Sequence, residues 1–208
     1  MEGPGMEFDA ACKQYEGQDL GDATFTDLEL RGIRFVNCRF HGASMGGLIT
    51  RDCAFLNCNF SFASLHGSMH YATLFQNCTF HGASLFSAEM EGCNCSGSSF
   101  AGANLTGFAI RGGNFSDTVF DGCDLRRMDL QGVCLAHAFF QGANLEKADL
   151  RGCDCSHAVF ADAALKGADL RGARFNGVDV RQMRFQETKI DLEQAVRFAE
   201  SLGCIVSG

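Results

Sequence analysis

Twelve cysteines and six histidines are the side chains of this 208-residue chain best equipped for chemistry. Thiols could ligate a soft metal or form disulfides, and imidazoles could hold zinc or move protons. Their spacing argues against each use. No Cys-x-x-Cys pair exists, and two Cys-x-Cys pairs, Cys93/Cys95 and Cys153/Cys155, fall where both side chains point inward. His137 and His157 recur twenty residues apart, and no third ligand accompanies them. There is no phosphate-cradling glycine loop, nucleophile elbow or paired-carboxylate motif. No catalytic centre, metal or cofactor is therefore expected. The acidic residues are more informative: Asp129, Asp149 and Asp169 form a ladder interleaved with Arg151 and Arg171, and Asp121, Asp162 and Asp179 lie on another side against Arg181.

The elements that position these residues follow from a period. Residues whose number is a multiple of five are large and apolar from Leu20 to Ile190, with Thr50 and His70 the polar exceptions. Fourteen of the 20 Phe keep this register. The position two before each is small, usually Ala or Cys, and seven of the 12 Cys occupy it. The position two after takes 18 of the 25 Gly. A period of five matches neither helix nor strand. Each pentad is instead one side of a coil that turns at every corner, where Gly tolerates positive φ. The large residue and the small one two before it share a face of the extended chain and both point inward. Most thiols are thereby small packing residues.

A second period sets the number of sides. FVNCRF (35–40), FLNCNF (55–60) and FQNCTF (75–80) recur every twenty residues, and HGAS recurs at 41–44 and 81–84. Four pentads make one coil, an all-β solenoid. The 36 pentads over 13–192 predict nine coils, a rod roughly 43 Å tall at ~4.8 Å per coil.

The Ala-(Asp/Asn)-Leu-x-Gly pentads, such as Ala143–Lys147 and Ala168–Gly172, resemble those of the pentapeptide-repeat proteins. The resemblance implies a right-handed quadrilateral β-helix. Three segments are expected: an N-terminal one over 1–12, the helix over 13–190, and a capping module over 191–208.

Open coils need caps. Asp191 with Gln194 reads as an N-cap and capping box. Leu192, Ala195, Val196, Ala199 and Leu202 form an apolar helical stripe ended by Gly203, and Cys204-Ile205-Val206 is expected as a short strand. The IDLEQAVRFAESLG ending is similar to that of the Qnr- and MfpA-type branch, whose members dimerise through this end. That resemblance places a homodimer contact on Leu192, Val196, Phe198, Leu202, Ile205 and Val206. Along the axis, His70 is expected to hydrogen-bond Thr50 stacked beneath it. Phe108 takes a position that elsewhere holds Ala or Cys, so a widening or bend is expected there, relieved by Gly113.

The chain carries 17 basic and 25 acidic side chains, a net charge of −8. This balance opposes a nucleic-acid-binding surface. No apolar run approaches the ~18 residues of a membrane span. The N-terminus shows no basic region followed by an apolar stretch. A reducing cytoplasm is the expected setting. Residues 13–190 hold 19 acids and 16 bases, so most of the imbalance lies at the ends. Residues 53–88 carry no Asp, Glu, Lys or Arg. The outward Phe62, His66, Tyr71, His81 and Phe86 make this an uncharged contact belt.

Qnr- and MfpA-type proteins bind type II DNA topoisomerases, chiefly gyrase, by imitating duplex DNA. The resemblance therefore implies a non-enzymatic partner of DNA gyrase or topoisomerase IV, binding through the six aspartates above. The unbroken register leaves no inserted loop, which resembles the loop-free MfpA form. The competing expectation is a scaffold for an unrelated protein, favoured if the acids lie evenly among arginines.

Overall fold

Residues twenty apart pair in parallel, from Gln14↔Arg34 to Asp169↔Lys189. The computed structural model describes residues 11–207, so the expected N-terminal segment (1–12) lies almost entirely outside the described residues. The strands, each three residues long, are β1 (Gln14–Glu16), β2 (Glu29–Arg31), β3 (Arg34–Val36), β4 (Ile49–Arg51), β5 (Ala54–Leu56), β6 (Met69–Tyr71), β7 (Leu74–Gln76), β8 (Glu89–Glu91) and β9 (Ala109–Arg111). They form two parallel sheets, β1-β3-β5-β7 and β2-β4-β6-β8-β9. The molecule is a parallel β-solenoid with one C-terminal helix, α1 (Leu192–Ser201).

Regular strands thus span about five turns, the depth of the larger sheet, rather than the nine coils expected. The reason lies in the corners. At Ile33, Cys53, Thr73 and Cys93 no backbone bond closes the corner onto the residue three before, and the chain stays extended on both sides. From Cys123 to Met183 every corner is closed by such a bond, as in Cys123 N–H to Phe120 O at 3.0 Å. Only the residue between two closed corners remains free to pair, so the twenty-residue register continues as isolated bridges. Where the corner residue with positive φ is not Gly it is often Asn or Asp, as at Asn37, Asn57 and Asn77, whose short polar side chains tolerate the left-handed region.

Both inward positions are buried. The rings of Phe35, Phe55 and Phe75 stack at 4.9 Å with planes within 4° of parallel, and Phe40, Phe60, Phe80 and Phe100 stack at 4.7–5.0 Å. Stacked coils are spaced by ~4.8 Å, so the backbone itself delivers the rings at contact distance. The polar interruption is satisfied. His70 Nδ1 lies 2.8 Å from Thr50 Oγ1 and Nε2 lies 3.0 Å from Ser68 Oγ, while Thr50 Oγ1 meets Thr73 Oγ1 at 2.9 Å. Burial drives the His70 pKa down to about 3, so the imidazole is neutral.

One step of the solenoid is open. On the sides 103–112 and 123–131, Leu105, Gly107, Ile110 and Gly112 do not donate to the Asp124, Arg126, Asp129 and Gln131 carbonyls. Nor do Asp124 and Asp129 donate to Ala103 and Phe108. The counterparts of these bonds form at the coil before and at the coil after. Phe108, only 5% exposed, fills the space that a small residue leaves elsewhere. The other two sides stay paired, through Asn94↔Asn114↔Cys134 and Ser99↔Val119↔Phe139. The coils therefore part on two adjacent sides. Gly112 and Gly113, both at positive φ, return the chain to register.

At the C-terminal end Asp191 caps α1 with the expected capping box. The expected apolar stripe, however, does not plug the coil. The face turned inward carries Gln194 and Phe198, while Leu192 and Leu202 are exposed. Gln194 wins the inner place because its Nε2 donates to the carbonyls of Leu170 (2.6 Å), which also accepts the Ala173 N–H, and of Ala173 (2.8 Å). Phe198 packs edge-on against Phe175 at 5.7 Å. The strand expected at 204–206 does not form; the chain leaves α1 with the Cys204 N–H bonded back to the Ala199 carbonyl. No helix among the described residues is long and apolar enough to cross a membrane.

Candidate protein-binding surfaces

On each side the residue just before the large central one projects outward, so faces repeat every twenty residues and four surfaces can be read. The first is acidic. Asp129, Asp149 and Asp169 stack on one side through bridged backbones. Arg151 grips Asp149 at 2.5 Å and Arg171 grips Asp169 at 2.6 Å. Asp149 also accepts from Gln131 Nε2 at 2.8 Å. On the neighbouring surfaces Asp179 pairs with Arg181 at 2.7 Å and Asp162 pairs with Arg184. Asp121 and Asp129 form no ion pair; they accept from the backbone N–H groups of Gln141 and Gln131. The arginines hold the Asp149, Asp169 and Asp179 carboxyls below their ordinary range, and Arg174 brings Asp154 down to about 2. Among the described residues, 12 of the 17 basic side chains lie within ion-pair distance of a carboxylate, so the acidic surface is interleaved with positive charge rather than bare.

The uncharged belt is exposed where expected. Phe62 and Phe86 are 57% and 50% accessible. Phe62 sits edge-on between His41 (5.3 Å) and His81 (5.7 Å) along one corner of the rod. His66 lies on the adjacent corner, its Nδ1 2.8 Å from Ser64 Oγ. Tyr71 is half-buried, and the Arg51 guanidinium covers its ring at 4.2 Å. That residue is therefore less available than the sequence suggested.

The third surface is the C-terminal end. Leu192, Leu202, Ile205, Val206 and Phe185 are exposed there together, Ile205 at 95%. Val196 is partly covered and Phe198 belongs to the cap. The fourth was not anticipated. Val119, Phe139 and Val159 stack on the side opposite the aspartate ladder, with Phe139 41% and Val159 37% exposed. Its signal was available: these outward positions, one before the large central residue, carry Val and Phe where polar residues are usual. His137 and His157 stack nearby at 4.9 Å.

Nine of the twelve thiols are buried and none is bridged. Burial pushes the thiols of Cys93 and Cys123 up to about 11 and raises Cys95 well above its ordinary value, which makes them inert packing groups. No cluster of three metal-binding side chains exists among the described residues. A cleft of about 950 Å³ occupies the open step at Phe108, with Leu105, Ile110 and Met128 beneath it.

The family model "Pentapeptide repeats (8 copies)" matches over residues 78–117, 98–136, 111–146 and 139–177. No curated protein matches the sequence significantly. Among solved structures, a trypsin-treated single-residue variant of QnrB1, a plasmid-mediated fluoroquinolone resistance protein, superposes with a TM-score of 0.67 at 26% identity, covering 93% of this chain and 97% of that one. Full-length QnrB1 gives a TM-score of 0.62 at 24% identity over 92% of this chain and 97% of its own. HetL, a pentapeptide-repeat protein involved in heterocyst differentiation regulation from the cyanobacterium Nostoc sp. strain PCC 7120, shares the fold with a TM-score of 0.57 at 20% identity, over 85% of this chain and 86% of that one. The unbroken pentad register, the parallel twenty-residue pairing and these likenesses together place the chain in the pentapeptide-repeat family.

Proposed function

We propose that this chain is a non-enzymatic, cytoplasmic protein that binds a type II DNA topoisomerase, DNA gyrase or topoisomerase IV, and modulates it or protects it from quinolone-like or natural poisons. The observation that carries this reading is the likeness to QnrB1 along nearly the whole of both chains. The exposed apolar group at the C-terminal end supports a homodimer joined there, with Leu192, Leu202, Ile205 and Val206 in the contact. Such a dimer would double the length of the rod.

Imitation of DNA would then rest on shape and a local acidic field. Duplex DNA carries one charge per ~1.7 Å of axis. The six candidate aspartates include four held by arginines, and only Asp121 and Asp129 present carboxylates without an ion pair. This interleaving favours a second reading, a pentapeptide-repeat scaffold that binds an unrelated protein through the belt of Phe62, His66, His81 and Phe86. Equilibrium binding of the purified protein to gyrase, in competition with duplex DNA, separates the two. The topoisomerase reading expects micromolar or tighter binding that DNA displaces, and the scaffold reading expects none.

A further inference from the structure

At the open step, one lip of the cleft presents the backbone N–H groups of Leu105, Gly107, Ile110 and Gly112, and the other presents the carbonyls of Asp124, Arg126, Asp129 and Gln131. Elsewhere these two rows bond to each other; here they face the cleft. We propose that this cleft accepts an extended segment of a partner protein by strand addition. Three observations converge. One lip offers donors and the other acceptors, the groups that pair in the parallel ladder one coil before and one coil after, and a polypeptide main chain is the ligand that supplies alternating acceptors and donors. The floor, made by Leu105, Phe108, Ile110 and Met128, is apolar and suits a large side chain of the incoming strand. The cleft, about 950 Å³, is of the size that holds a short segment.

The charges at the mouth narrow the partner. Arg111, Arg126 and Arg127 balance Asp124, Asp129 and Glu146, so the site offers no net field to a polyanion. Arg111 and Arg126 are already engaged, by Glu89 and Asp124. The ligand is a neutral, extended peptide segment rather than nucleic acid. The site is separate from the belt, and it does not depend on which protein the rod binds elsewhere.

The probe is the synthetic decapeptide Ala-Asn-Leu-Glu-Lys-Ala-Asp-Leu-Arg-Gly, copied from residues 143–152, whose main chain already pairs with 123–132 and 163–172 in the fold. Amide exchange of the full chain is measured with and without it. At about 1 mM peptide, exchange at Leu105, Gly107, Ile110 and Gly112 is expected to slow by about tenfold or more, while a scrambled decapeptide leaves it unchanged. In Phe108→Ala, or in Phe108→Leu should the first fail to fold, the wedge closes, the same amides are protected without peptide, and the peptide effect is lost. Unchanged exchange in the wild type, equal slowing by the scrambled peptide, or slowing by a DNA duplex but not by the peptide would overturn the proposal. So would a peptide effect undiminished in a folded Phe108 variant.

Discussion

A Cβ placed on Gly113 would lie 2.3 Å from the carbonyl oxygen of Cys93, one coil below, and Gly113 itself holds φ at +94°. The two facts have one origin. Phe108 displaces its side of the coil, and the chain returns to register through Gly112 and Gly113 against the backbone beneath. Gly113→Ala therefore meets both a backbone clash and a disfavoured dihedral. It is expected to lower stability by at least about 2 kcal/mol, read as a shift of the urea midpoint at constant slope. Gly112→Ala, with nothing within 4 Å of its Cβ position, carries the dihedral penalty alone and should be milder.

The helical cap turns on Gln194. Its side chain serves three backbone groups: the carbonyls of Leu170 and Ala173, and the N–H of Asp191. Gln194→Ala leaves all three without that partner, and about 2–3 kcal/mol is the expected loss. Hydrogen exchange should show this loss concentrated in 170–202, with the Phe35–Phe80 coils unaffected. A uniform effect along the rod would contradict the assignment.

How far the sequence could anticipate this molecule depends on which residues are asked. The register, the inward Phe and Cys, the Thr50–His70 contact and the capping box all follow from periods of five and twenty, because a solenoid repeats the same local geometry. Phe108 could be singled out because it breaks that pattern. The face of α1 could not be read, since its apolar stripe suggested burial while Gln194 was drawn inward by the Leu170 and Ala173 carbonyls of the last coil. The pairing of Asp162 with Arg184, or Asp154 with Arg174, depends on which outward rotamers meet between coils. The break in strand structure after Arg111 likewise depends on which corners close, a choice the pentad pattern does not encode.

Acid sensitivity should trace first to His70. Its folded pKa, about 3, lies below its ordinary value of 6.5. The unfolded chain therefore takes up a proton that the fold refuses, and stability present above pH 6.5 is lost as pH falls towards 3. The slope approaches ~1.4 kcal/mol per pH unit. The carboxyls held low by arginine, such as Asp154, act only beneath their ordinary value of 3.8. Thermal midpoints between pH 6 and 4 thus isolate the histidine, and His70→Gln is expected to flatten that range by about the same slope. An unchanged slope would show the imidazole titrating normally inside the fold.

The C-terminal surface predicts association. Leu202 and Ile205 are exposed at 59% and 95% without a role in the cap. Light scattering should give about twice the 22.4 kDa of one chain. Leu202→Asp with Ile205→Asp should return it to one chain's mass without altering the melting of the coils. A wild-type monomer at about 100 μM would remove the dimer.

The central claim is that the rod acts on a type II topoisomerase, and a supercoiling assay with purified DNA gyrase, with and without a quinolone, addresses it directly. The account predicts that micromolar protein changes the extent of supercoiling, or its loss to the drug. No change in either condition would contradict it.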